Sequence, residues 1–125
     1  MELLANLWKH RARQRETAVR RAVARLDDPR ALEHLLAGLP EAEDLRSRLH
    51  GPFFARAWDV EAQLDHWIES DGARVTCYTV SGLSLPQAAA VRVRWDALRG
   101  RAELNEALLA DLIARETGSA VTLEG

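Results

Sequence analysis

The sequence predicts an α+β fold in a single domain over residues 1–125: about four N-terminal helices, then a small three-stranded β-β-α-β sheet unit. Three observations predict it. Apolar residues recur every three to four positions up to residue 70. Asp, Ser, Pro and Gly fall where helices should start and stop. After "SDG" at 70–72 the chain turns to β-branched and aromatic residues. At 125 residues with 47% hydrophobic content, the chain is large enough to bury a modest core.

Residues 2–26 read as one long amphipathic helix. At 100° per residue, Leu4, Ala5, Trp8, Ala12, Val19, Ala22, Val23 and Leu26 share one stripe, with Lys9, Arg13 and Arg20 opposite. "DDP" at 27–29 ends it, with Asp28 as N-cap and Pro29 as the first residue of a second helix over 29–38. Pro40 opens a third helix over 40–50, whose first turn carries Glu41, Glu43 and Asp44, as the helix dipole favours. A fourth is expected over 53–70, with Ala57, Val60, Leu64, Trp67 and Ile68 inward, and Trp58, Asp65 and Glu69 on its far side.

"ARVTCYTV" at 73–80 predicts a strand. "AVRVRW" at 90–95 alternates cleanly and predicts a second, paired with the first as a hairpin, with Arg92 and Arg94 on one face. A competing reading makes 84–98 a helix capped at "SLP". A helix over 101–116 ends at Gly118, and "SAVTLEG" makes a last strand. The helical part thus covers 1–71, and the small sheet with its covering helix covers 72–125.

Charge divides the chain unevenly. Residues 1–30 carry eight Lys/Arg against four Asp/Glu; residues 31–71 carry three against nine; residues 72–125 carry six of each. The net charge is −2. An Arg-rich opening opposed by an acidic middle predicts local compensation, because a dedicated nucleic-acid binder keeps a net basic domain. Lys9 is the one lysine, so chemistry that needs a Lys base or Schiff base has a single candidate.

Several activities lack their residues. The strand "VRVRW" carries neither the acid nor the lysine of a metal-dependent nuclease site. Of His10, His34, His50 and His66, only His66 has a carboxylate at i, i+3 or i, i+4 (Glu69), and with no second such pair no metal site is predicted. Glu61, Asp65 and Glu69 step at i, i+4, i+8, which on a helix marks a solvated or Arg-docking face rather than a paired-carboxylate centre. Cys77 is alone, which excludes an internal disulfide and fits a reducing, cytoplasmic compartment. The longest apolar runs are too short to span a bilayer.

The functional expectation is a small cytoplasmic interaction or regulatory domain that works through protein contacts, without catalysis, metal or cofactor. Its partner is another protein or a second copy of itself. The predicted contact residues are Leu4, Trp8, Val19, Val23, Trp58, Asp65 and Glu69, with a hot spot around Trp8 and Trp58. The alternative is a nucleic-acid accessory protein using Arg11, Arg13, Arg20 and Arg21, with Arg92 and Arg94 of the hairpin supplying further phosphate contacts.

Overall fold

The computed structural model describes residues 17–49 and 51–124. Its elements, in chain order, are β1 (Ala18–Arg25), α1 (Pro29–Leu36), α2 (Ala42–Ser47), β2 (Pro52–Asp59), β3 (Leu64–Asp71), β4 (Arg74–Ser81), α3 (Leu85–Leu98), α4 (Glu106–Thr117) and β5 (Thr122–Glu124). The five strands form one sheet in the order β2-β3-β4-β1-β5. All neighbours are antiparallel except β1 and β5, which run parallel.

The class is α+β, but the expected layout of helices followed by a three-stranded unit is corrected in three places. Residues 18–25 are a strand, not the end of a helix; the rest of the expected helix, residues 2–16, lies outside the described residues. Ala and Arg favour a helix locally. Pairing with β4 along all eight residues and with β5 over Ala18–Arg20 overrides that preference. The expected helix at 53–70 is instead the β2–β3 hairpin. Its turn has neither Gly nor Pro to announce it. Asp59 Oδ1 accepts the N–H groups of Glu61 and Ala62, both at 3.1 Å, and Gln63 takes a left-handed φ of 55°. The expected strand at 90–95 lies inside α3, as the competing reading had it. Ser84 caps that helix, its hydroxyl accepting the Gln87 N–H at 3.2 Å while Gln87 Oε1 accepts the Ser84 N–H at 3.0 Å.

The remaining elements follow their local signals. Asp28 accepts the Ala31 N–H at the start of α1 (3.2 Å), and Asn105 accepts the Leu108 N–H at the start of α4 (2.9 Å). Asp71 turns β3 into β4 by accepting the N–H groups of Ala73 (2.8 Å) and Arg74 (2.9 Å). Those two donors also hold its carboxyl below the usual range.

Strand periodicity sorts the core into two layers. On one face, Val19, Trp67, Tyr78 and Val80 pack against Val91 and Trp95 of α3 and Leu109, Leu112 and Ile113 of α4. On the other, Ala57, Ile68, Val75 and Cys77 pack against Leu36 of α1, Leu45 of α2 and Leu49. Trp67 meets Phe54 and Trp95 edge-on, at centroid distances of 6.2 and 6.0 Å, and Tyr78 meets Trp95 at 5.5 Å.

Candidate functional site

The ladder's phase identifies which backbone groups the sheet leaves unused. Leu26 donates its N–H to the Ala73 carbonyl at 2.9 Å, so the even-numbered backbone groups of β1 face β4. Thr122 donates to the Thr17 carbonyl at 3.0 Å, so the odd-numbered groups face β5. Alternation carried through the registers of β4, β3 and β2 places the odd positions of β2 against β3. The even positions, Pro52, Phe54, Arg56 and Trp58, therefore turn their backbone groups outward. Among the described residues, no strand pairs with that edge.

β1 has a shorter open edge. β5 pairs over Ala18–Arg20, which leaves the odd positions Val23 and Arg25 without a neighbouring strand there among the described residues. Arg21 reaches Glu106 (3.5 Å), Arg25 grips Asp27 (2.9 Å), and Val23 between them is 43% exposed. Projecting charges on either side of an edge residue guard it against another strand.

β2 supplies no such projecting charge to its own edge, although Arg48 lies over its Phe53 ring at 5.1 Å. Arg56, its one cation, folds inward onto β3. Its Nε donates to Asp65 Oδ1 at 2.8 Å and its Nη2 to Oδ2 at 2.6 Å. Asp65 is 1% exposed and also accepts the indole N–H of Trp67 at 3.0 Å. The hydrogen bond to Asp65 raises the Arg56 pKa further, so the guanidinium stays charged. Around it the strand reads Phe53, Phe54, Ala55, Ala57 and Trp58. The Arg92 guanidinium lies 3.8 Å above the Phe54 ring. Trp58 lines a cavity of about 240 Å³ with Gln63, Gly82, Leu83, Ser84, Leu85 and Gln87. Val60, 72% exposed, and Leu85, 50% exposed, extend the apolar surface past the end of the strand.

The predicted contact residues do not gather on one surface. Leu4 and Trp8 lie outside the described residues. Val19 is buried beneath α3 and α4, whereas Val23 sits on the β1 edge. Asp65 is taken by Arg56 and Trp67. Glu69 accepts the Trp95 indole N–H at 3.1 Å and pairs with Arg99. Of these residues Trp58 alone belongs to the β2 edge.

The arginines of the alternative reading are similarly dispersed. Arg11 and Arg13 lie outside the described residues. Arg20 and Arg21 fall on opposite faces of β1. Arg92 and Arg94 stand on α3 rather than on a hairpin, paired with Asp96 (3.1 Å) and Glu116 (3.5 Å).

Two buried polar groups face α1 and α2. His66 Nδ1 lies 3.0 Å from Thr79 Oγ1, its Nε2 has no hydrogen-bond partner, and burial pulls its pKa down. Cys77 is buried, with its thiol pushed up to about 11. Among the described residues, no group of three or more His, Cys, Asp or Glu side chains is arranged to hold a metal ion. No helix among them is long and apolar enough to cross a membrane.

Sequence reasoning missed Pro52, Phe54 and Arg56 because a helical reading scattered them around a cylinder. The available signal was "PFFARAWD", which opens on Pro and alternates around Ala55 and Ala57. No family model, curated protein or solved structure matches this chain.

Proposed function

We propose that this chain is a small protein-contact domain, acting in the cytoplasm, that associates with a second copy of itself through the open edge of β2. The observation that carries this reading is the eight-residue β2 edge: no neighbouring strand among the described residues, apolar and aromatic side chains, and its one arginine neutralised from within by Asp65. An open edge of that length is a template for another strand, and aromatic residues are the usual anchors of protein contacts. Arg21 and Arg25 on β1 and Arg92 and Arg94 on α3 have carboxylates beside them, which favours this reading over nucleic-acid binding.

Sedimentation velocity over a concentration series tests it. The wild-type protein should move from monomer towards dimer as concentration rises, and Trp58→Ala should shift that transition upward by about tenfold. A monomeric profile for both proteins throughout the series overturns the proposal.

A further inference from the structure

Resting on that reading, we infer the geometry of the pair: two β2 strands join antiparallel about a two-fold axis at Ala55, giving one continuous ten-stranded sheet. A two-fold axis perpendicular to a sheet makes each residue face a mate on the same side, so the axis must pass through a residue. Near the centre of β2 the choices are Ala55 and Arg56.

Charge decides between them. An axis at Arg56 sets Arg56 opposite its own copy, and like charges directly opposite each other destabilise a ladder. Each guanidinium would also be drawn away from its own Asp65. An axis at Ala55 sets Arg56 opposite Phe54 of the second copy, so no arginine of β2 faces its own copy and each can keep its own Asp65. It also sets Pro52 opposite Trp58, so a pyrrolidine ring lies against the indole. On the other face, Phe53 meets Ala57 and Ala55 meets Ala55.

The backbone fits this register. Phe54, Arg56 and Trp58 each present an outward N–H, and Pro52, Phe54 and Arg56 present the carbonyls that accept them. Pro52 lacks an N–H, and its mate Trp58 requires none from it beyond its carbonyl. Every group the sheet leaves open between Pro52 and Trp58, apart from the Trp58 carbonyl, is then satisfied. The β1 edge offers no equivalent, because an axis at Val23 would set Arg21 opposite Arg25.

Two measurements on the full chain test the inference. In Ala55→Cys the mutated side chains face each other as a non-hydrogen-bonded pair, the closest approach in an antiparallel ladder and within disulfide reach. Oxidised glutathione should convert that variant almost completely to a covalent dimer, whereas the wild-type protein, whose Cys77 is buried, should remain uncrosslinked. In the wild-type protein, the amide protons of Phe54, Arg56 and Trp58 should gain protection from exchange as concentration rises, and those of Val23 and Arg25 should not.

The outcomes separate the register from the association. Association without an Ala55→Cys crosslink, but with crosslinking between Ala55→Cys and Ala57→Cys chains, moves the axis to Arg56 and overturns the register alone. Association without protection at Phe54, Arg56 and Trp58 removes β2 from the interface. An absence of association by sedimentation removes the parent reading as well. Should Ala55→Cys lose its fold by circular dichroism, the exchange pattern of the wild-type protein still decides whether the β2 edge is used.

Discussion

Arg56 holds Asp65 by two parallel hydrogen bonds across the β2–β3 hairpin, so the one arginine of β2 is neutralised by a carboxylate that is itself 1% exposed. Truncating Arg56 leaves that carboxylate buried with the Trp67 indole as its remaining donor. Removing one partner of a buried pair costs about 3–5 kcal/mol; the Arg56 side chain is 30% exposed, which reduces the expectation for Arg56→Met to about 2 kcal/mol. Asp65→Asn, which keeps an acceptor for Trp67 and loses the charge, should cost less. Urea titrations of the three proteins check the order.

Trp58→Pro should abolish association while leaving the internal ladder intact. The Trp58 N–H points away from β3, so proline removes an edge donor and no bond within the sheet. Sedimentation should then report a monomer at every concentration, with the far-ultraviolet spectrum of the wild-type protein.

His66 makes stability depend on pH. Its pKa is depressed mainly by burial and further by Arg20, against the opposing pull of Asp59 and Asp65. The folded state therefore binds fewer protons than the unfolded state below the ordinary histidine value of about 6.5. Stability should fall as pH drops through that value and keep falling until the folded state can also protonate. A urea midpoint that declines between about pH 7.5 and pH 5.5 in the wild-type protein, and declines less in His66→Gln, is the expected result.

Cys77 should be inert to thiol reagents in the native protein. Its buried thiol is raised to about 11, so little thiolate exists near neutrality. Ellman's reagent should react at the rate of unfolding, and adding urea should bring Cys77 to full reactivity.

Ser84→Ala should cost about 1 kcal/mol through loss of the α3 cap. It should leave the association constant unchanged, although Ser84 lines the same cavity as Trp58. Sedimentation alongside urea titration separates the two effects.

Elements with strong local punctuation were legible in the sequence. Asp28-Pro29 starts α1 and Gly118 stops α4, by a side-chain acceptor and a left-handed residue that owe nothing to distant contacts, whereas α4 itself starts behind Asn105, later than the expected residue 101. β4 was legible from its β-branched run. β1 and the β2–β3 hairpin were not. "AVRRAVAR" is helical by composition and becomes a strand only because β4 and β5 flank it. "DVEAQL" turns through Asp59 and a left-handed Gln63 without a turn signature. The helical reading of 53–70 placed Trp58, Asp65 and Glu69 on one surface; in the hairpin, Asp65 and Glu69 become internal anchors for Arg56, Trp67, Trp95 and Arg99. Trp58, expected on the same surface as those two, stands half-buried on the β2 edge instead.

The position of β1 bears on how the molecule is made. It is the first strand of the described chain, yet its two neighbours are the fourth and the fifth, and the parallel one is contributed by Thr122–Glu124. On the ribosome β1 emerges long before either flank exists, whereas β2, β3 and β4 can zip as consecutive hairpins. Such distant pairing is slow to nucleate, so the meander should form early, β1 should dock on β4 afterwards, and β5 should close on β1 last. Until then the nascent polypeptide exposes a second raw margin, on β4, and synthesis passes through an interval in which premature pairing between chains is most dangerous.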